Sequence, residues 1–216
     1  MEVYYTDMGL PSMAPLRLRI SFRAEHPRPA SHATVSYPIP CRVNRDGRTI
    51  QSLLRGKGID MIDIEIPGLQ KLEIEHVVFD YNGTLAVDGR KLPCVDEGIR
   101  LLADRVEVHV VTADTFGLAG QELEGLPCRL TVLPQDGQHR AKRDFVRDLG
   151  AGRTVAVGNG SNDRLMLREA RLGICLILEE GASTEALARA DVVCRSLEDA
   201  LGLFHNPKRL IATLRS

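Results

Sequence analysis

The sequence predicts an α/β fold in which a parallel sheet is covered by helices on both faces. From residue 61 onward, short apolar runs alternate with segments that have the composition of helices. The run at 77–79 is apolar at every position, which is typical of a strand buried on both faces. Regular alternation of strands with helices favours parallel strands joined by helical crossovers.

Turn and breaker residues divide the first half of this region into its elements. Pro67-Gly68 and Asp88-Gly89 are turn signals, so each is expected to join two short strands, and Pro93 is expected to open a helix. The predicted elements are strands at 62–66, 72–75 and 77–80, a small β-flap at 85–92, a helix after Pro93 that runs through Asp104, and a strand at 106–112.

The second half continues the alternation, and Gly150 is expected to end its longest helix. The run at 172–178 has the length of a strand and no polar face, so we expect it to be buried. The predicted elements are helices at 115–123, 140–149, 163–170, 184–189, 197–204 and 207–214, and strands at 129–133, 154–158, 172–178 and 191–194.

The overall composition is that of a globular protein without a strong net charge. Of the 216 residues, 44% are hydrophobic and 26% are charged, and the net charge is −1. Binding to nucleic acid or to a membrane surface is therefore not expected. No apolar run reaches the roughly 18 residues of a membrane span. The five cysteines form no C-x-x-C pair, which favours reduced thiols and a cytoplasmic location.

Residues 1–60 differ in composition from residues 61–216, which predicts a chain of two parts. They hold six of the eleven prolines, and nine Lys or Arg against five Asp or Glu. Because they lack sustained periodicity, we expect a disordered extension, or a misassigned start with Met61 as the true first residue. A basic tail that binds an acidic partner, including nucleic acid, is the functional alternative.

Polar side chains follow the predicted strands at one edge of the sheet. Asp80 ends the central strand, Thr112 ends the next, and Asp163 comes from the loop after a third strand, while Lys142 lies on a nearby helix. Because the carboxyl ends of parallel strands share one edge, these groups are expected to converge. Asp80 could attack phosphorus, Thr112 and Lys142 could hold phosphoryl oxygens, and the two carboxylates could hold Mg²⁺.

Each of these residues also has a purely structural interpretation. Thr112 and Asp163 fit helix capping, and Lys142 fits a solvated basic helix face. The histidines in this region show no ligand spacing and are interpreted as structural or surface residues. These histidines are His76, His109, His139 and His205.

Taken together and in order, the polar motifs resemble those of the haloacid dehalogenase (HAD) superfamily of phosphohydrolases, over roughly residues 61–216. Residues 80–84, Asp-Tyr-Asn-Gly-Thr, resemble its first motif, and Thr112 and Lys142 resemble the residues of its second and third. Residues 158–163, Gly-Asn-Gly-Ser-Asn-Asp, resemble the acidic fourth motif. The nearest subgroup is that of the soluble proteins similar to the phosphorylation domain of P-type ATPases.

This resemblance implies a Rossmann-like core and a phosphatase activity. In that activity Asp80 becomes phosphorylated, and the resulting phosphoaspartate is then hydrolysed. It assigns the catalytic residues as Asp80, Thr112 and Lys142. It assigns phosphate binding to Gly83, Thr112, Ala113 and Lys142. It assigns Mg²⁺ binding to Asp80, Asn82, Asn159 and Asp163.

Two positions depart from the family pattern. Asn82 stands where the first motif has an aspartate that serves as general acid and base, and an amide cannot transfer that proton. Asn159 stands where the fourth motif has a metal-binding aspartate, so the site loses one negative charge. The sequence therefore predicts either a weak phosphatase or an inactive regulatory, partner-binding member of the superfamily.

The spacing of the motifs leaves no room for a sizeable cap domain. About thirty residues separate Asp80 from Thr112, and about thirty separate Thr112 from Lys142. An open site suits a phosphoprotein, or a phosphorylated small molecule enclosed by a neighbouring copy in a homo-oligomer.

Overall fold

The computed structural model describes residues 61–69, 71–113 and 117–216. The predicted extension at 1–60 lies outside the described residues. The strands are β1 (Ile62–Ile64), β2 (Leu72–Ile74), β3 (His76–Phe79), β4 (Ala86–Val87), β5 (Arg90–Lys91), β6 (Glu107–Thr112), β7 (Arg129–Val132), β8 (Thr154–Gly158), β9 (Leu172–Leu176) and β10 (Val192–Cys194). The helices are α1 (Val95–Ala103), α2 (Ala119–Glu122), α3 (Gln138–Leu149), α4 (Arg164–Glu169), α5 (Thr184–Leu187), α6 (Leu197–His205) and α7 (Pro207–Leu214), with 3₁₀ turns at Ala151–Arg153 and Ser161–Asp163.

Six strands form one parallel sheet in the order β10-β9-β8-β3-β6-β7. Within this sheet, the central strand β3 comes first in the sequence. The next strands, β6 and β7, lie on one side of it, and β8 then lies on its other side. The strand order thus reverses at β3, and the carboxyl end of such a strand is where open α/β sheets form a ligand crevice.

The central strand explains why a fully apolar run is needed at this place in the sequence. Val77 and Phe79 point into one core, which α1, α6 and α7 cover, whereas Val78 points into the core under α3, α4 and α5. All three side chains are fully buried. The predicted fold class, a parallel sheet between two helical layers, is confirmed.

Two small antiparallel sheets occur where the turn signals predict them. β1 pairs with β2, and β4 pairs with β5 to form the flap. At the tip of the flap Asp88 and Gly89 have φ angles of 49° and 77°. Two positive φ angles in succession are typical of a type I′ hairpin turn, for which Asp-Gly is well suited.

The predicted helix at 115–123 is wrong in length. Residues 114–116 lie outside the described residues, and α2 begins only at Ala119. Gly117 has a φ of +68°, which an α-helix does not contain, so the helix starts beyond it. The strand predicted at 172–178 likewise ends at Leu176. None of the helices within the described residues has the length and apolar character needed to cross a bilayer.

Candidate active site at the carboxyl edge of the sheet

Asp80 is the first residue after β3, at the point where the strand order reverses. Its backbone N–H donates to the carbonyl of Val157 at 2.9 Å, which continues the pairing of β3 with β8 by one residue. Its side chain is only 8% exposed. The carboxylate is therefore held at the end of a rigid strand rather than on a free loop.

A tight turn follows Asp80 and requires glycine at position 83. The carbonyl of Tyr81 accepts from Leu85 and Ala86 at 2.8 and 2.9 Å, and this turn places Gly83 at a φ of +75°. A β-carbon at Gly83 would lie 2.2 Å from Nδ2 of Asn159. The conformation and the close approach to the neighbouring loop both exclude a side chain.

Lys142 joins two carboxylates from different loops. Its ammonium donates to Oδ1 of Asp80 and to Oδ1 of Asp163, each at 2.6 Å. Lys142 and Asp163 are both fully buried. Because an isolated buried charge is very unfavourable, this triad accounts for a lysine in the interior of the α3 face.

The triad shifts the pKa values of Asp80 and Lys142. Burial, followed by the nearby Asp163 carboxylate, raises the pKa of Asp80 to about 7, against the opposing effect of Lys142. Burial alone would lower the pKa of the Lys142 ammonium, but Asp163 and Asp80 together raise it well above its ordinary value. Lys142 therefore stays charged, and proton uptake near neutrality occurs on Asp80.

Asp163 supports both Lys142 and the loop after β8. Its Oδ2 accepts from the backbone N–H of Asn159 at 3.0 Å and from that of Gly160 at 2.8 Å. A β-carbon at Gly158 would lie 2.6 Å from the Asp163 carboxyl group. Both oxygens of Asp163 thus already accept hydrogen bonds from the protein.

A polar cavity of about 210 Å³ opens above the triad. Most of the predicted site residues line it, but Gly83, Lys142 and Asp163 do not and lie behind its wall. The lining residues are Asp80, Asn82, Thr112, Ala113, Gln138, Asn159, Gly160, Asn162 and Glu180. The structure therefore brings the predicted residues together, in two layers around Asp80.

Comparison with known proteins agrees with this architecture. A protein from Vibrio cholerae, assigned as a 3-deoxy-D-manno-octulosonate 8-phosphate phosphatase, superposes with a TM-score of 0.53 at 14% identity, over 68% of this chain and 97% of that one. A Legionella pneumophila protein, assigned to subfamily III A of the HAD hydrolases, gives 0.50 at 17% identity, over 65% and 87%. The chain has the HAD-like fold. At these identities the likeness is one of fold.

Sequence relatives add little to this assignment. No protein-family model matches the chain. An uncharacterised protein of Methanocaldococcus jannaschii is 48% identical over 61 residues, which are 28% of this chain and 66% of that protein. The chain thus spans just under two thirds of the length of that relative.

Two residues that line the cavity, Gln138 and Glu180, lie outside the motifs recognised in the sequence, whereas Gly160 and Asn162 belong to the motif at 158–163 without an assigned role. Gln138 lies one helical turn before Lys142, and its Oε1 accepts from Nδ2 of Asn162 at 2.8 Å. Glu180 follows the end of β9 at the same edge of the sheet. The rule that located Asp80, a polar residue after a buried strand, also points to Glu180.

The flap is bonded to Glu180, one of the residues that line the cavity. The backbone N–H of Asp88 at its tip donates to Oε1 of Glu180 at 2.9 Å. The hydroxyl of Tyr81 donates to the carbonyl of Gly89 at 3.1 Å, inside the protein. The flap is therefore tied down at its tip and from beneath. The chain between β3 and α3, within the described residues, contains no cap domain.

The donor groups around the cavity fit a hard cation such as Mg²⁺. Asp80 contributes a carboxylate, while Asn82 and Asn159 contribute amide oxygens, and oxygen is the ligand that Mg²⁺ prefers. Among the described residues, Asn82 Oδ1 is one of two buried side-chain polar atoms that have no hydrogen-bond partner. Nδ2 of Asn159 donates to the carbonyl of Gly181 at 3.0 Å, which fixes the orientation of its amide.

Proposed function

We propose that the protein is a magnesium-dependent phosphohydrolase that uses Asp80 as its nucleophile. The observation that carries this proposal is the Asp80–Lys142–Asp163 triad beneath a polar cavity at the reversal of strand order. The HAD-like fold, whose solved relatives include proteins assigned as phosphatases, supports it.

In the first step an Asp80 oxygen attacks phosphorus, and the bond between phosphorus and the leaving oxygen breaks. The products are an acyl phosphate on Asp80 and the leaving group as an anion, which then takes a proton from water to give the alcohol, phenol or acid. In the second step water attacks that phosphorus, releases inorganic phosphate and restores the carboxylate. Thr112 and Ala113 line the cavity where the phosphoryl oxygens would lie, and the charge of Lys142 offsets theirs.

Asp80, Asn82 and Asn159 are the residues that would hold Mg²⁺, with the backbone carbonyl of Asn82 as a further oxygen donor. Bound there, the ion supplies positive charge that offsets the charge of the phosphoryl group. Asp163 remains a fourth candidate ligand, but its hydrogen bonds fit the orientation of Lys142 better.

Asn82 sets the preference among substrates. Because its amide cannot protonate the leaving oxygen, that oxygen must depart as an anion. Aryl and acyl phosphates, whose leaving groups are stable anions, are therefore the expected substrates, whether on a small molecule or on a phosphoprotein. The polar lining of the cavity and its small volume, about 210 Å³, fit the phosphoryl group itself. A cytoplasmic location and closure of the site by a second copy belong to the same proposal.

The direct test is hydrolysis of an aryl phosphate with and without Mg²⁺, by the full chain and by Asp80→Asn. Turnover should require Mg²⁺ and disappear in the variant. Asp148→Asn, which changes an exposed aspartate of α3, is the matched control and should retain full activity. Turnover by Asp80→Asn at the rate of the control would refute the proposed nucleophile.

A second function, that of an inactive regulatory protein, is favoured by the two amides at 82 and 159. Trapping with beryllofluoride and Mg²⁺ separates the two. An active site should bind this phosphoryl mimic on Asp80, and the bound state should be visible as a change in the NMR signals of the loop at 158–163. Absence of binding would favour the regulatory alternative.

A further inference from the structure

A second polar cluster lies at the opposite, amino edge of the same sheet. His76 opens β3, and Glu107 opens β6 directly beside it in the register of the two parallel strands. His109 is two residues after Glu107 and so points to the same face. The three side chains therefore converge on the face that α3 covers.

The ligand-type atoms of this cluster form a nearly equilateral triangle. Nδ1 of His76 and Nε2 of His109 are 3.4 Å apart, and Oε2 of Glu107 is 3.6 Å from each. Zinc bonds of about 2.0–2.1 Å in tetrahedral geometry place neighbouring ligand atoms about 3.4 Å apart. An ion over the centre of this triangle would reach all three atoms at distances of about 2.0–2.2 Å.

We propose that His76, Glu107 and His109 bind a divalent transition-metal ion, for which zinc is the best fit. Two imidazoles and one carboxylate are a zinc-type donor set, whereas Mg²⁺ prefers oxygen alone. Three protein ligands leave a fourth position for water. The site is independent of the proposed phosphatase function and would connect β3 to β6 at their amino ends.

The surroundings hold the imidazoles in place and in the required protonation state. The His109 side chain is 3% exposed and packs edge-on against Phe145 of α3, with ring centroids 5.7 Å apart. Burial lowers the pKa of His76, and it lowers that of His109 to about 4. Both rings are therefore neutral at neutral pH, which is the form that binds metals.

Among the described residues, Arg129 is a neighbour that opposes a cation. Its guanidinium lies 3.3 Å from Oε1 and 3.3 Å from Oε2 of Glu107. The Arg129 side chain is 58% exposed, so it can rotate toward solvent while Oε2 binds the ion. Without metal, a proton shared between the two imidazoles explains the same contacts, and the experiment must separate these two states.

The first measurement uses the unmodified full chain. Zinc is titrated into metal-free protein, and long-range ¹H–¹⁵N NMR follows the imidazole nitrogens. Zinc should bind with one ion assigned to this site, and the signals of His76 Nδ1 and His109 Nε2 should shift together. If neither nitrogen responds to saturating zinc, the proposal is overturned without any variant.

The second measurement assigns the affinity to the three ligands. Glu107→Gln and His76→Gln should each weaken zinc binding at this site by about a hundredfold or more. His205→Gln removes an exposed histidine and should leave the affinity unchanged. The same zinc titrations are repeated with each variant combined with Asp80→Asn, so that zinc bound at the carboxyl edge does not contribute to the measured affinity. Unchanged affinity in both ligand variants would overturn the proposal.

Discussion

The two edges of the sheet carry two different kinds of polar cluster, and the central strand β3 leads into both. At the carboxyl edge, Asp80 and its partners come from loops and one helix, and they combine charged groups with oxygen donors. At the amino edge, His76, Glu107 and His109 all belong to strands, and two of the three are neutral nitrogen donors.

The two clusters are therefore held together by different interactions. The carboxyl edge is held by charge, because Lys142 must offset two buried carboxylates. The amino edge is held by strand register, because its residues converge through the pairing of β3 with β6. Removing a charge at the carboxyl edge should therefore destabilise the first cluster strongly and leave the geometry of the second unchanged.

The largest effect is expected from Lys142→Met, which leaves Asp80 and Asp163 buried without their cation. Removing one partner of a buried ion pair costs about 3–5 kcal/mol of unfolding free energy. Urea unfolding measures it, with Lys208→Met on the exposed face of α7 as the control. Zinc binding at the amino edge should survive under native conditions. Equal losses from both variants would contradict the role of charge at the carboxyl edge.

Asn82→Asp should restore the missing proton donor at the carboxyl edge. General acid catalysis is worth about 10²–10⁴-fold, so hydrolysis of alkyl phosphates should rise by at least about a hundredfold. Aryl phosphates, which need no protonation of the leaving group, should gain much less. The measurement is the ratio of the two rates, and an unchanged ratio would remove the explanation given for Asn82.

A pair of glycines tests how tightly the loops of the carboxyl edge are packed. Gly83 and Gly125 have nearly equal φ angles of +75° and +74°, but only Gly83 faces a neighbour, the Asn159 side chain. Gly125→Ala should cost about 1–2 kcal/mol from backbone strain alone. Gly83→Ala should exceed it by about 1–3 kcal/mol because of overpacking, as measured by chemical unfolding. Equal costs would mean that the Asn159 loop moves freely.

The pH dependence of stability isolates Asp80 in the metal-free protein. Its folded pKa is raised above the unfolded value of 3.8 to about 7, so the folded state binds the extra proton between these values. The contribution of protonated Asp80 to the free energy of unfolding is fully present below pH 3.8 and is lost as the pH rises through about 7. Relative to Asp80→Asn, the unmodified chain should lose up to about 1.4 kcal/mol per pH unit in this window. If the stabilities of the unmodified chain and of Asp80→Asn changed with pH in the same way, the raised pKa would belong to a group other than Asp80.

Much of the carboxyl edge could be predicted because its residues directly follow buried strands. Asp80, Thr112 and the loop at 158–163 each mark the end of an apolar run, and the order of strands then requires that they meet. The hydrogen-bond partners of each residue within the site could not be predicted. That Asp163 faces Lys142 and two backbone amides depends on how the loop after β8 turns, which its composition does not specify.

The amino edge shows what a sequence leaves out. Taken one at a time, His76 and His109 are interpreted as structural or surface residues, because no ligand spacing connects them in the sequence. They are 33 positions apart, and their contact depends on the register of β3 against β6. Register is set by packing over the whole sheet, so a shift of one residue would have turned Glu107 and His109 to the other face.

The fixed flap has a consequence for what the protein recognises. With its tip bonded both to Glu180 and to Tyr81, the flap is held in place and is not free to fold over a bound molecule. A compound that places its phosphoryl group in the cavity keeps the rest of its body in bulk water. Selectivity among such compounds then falls to the outer surface around the rim, and to whatever each compound can touch there.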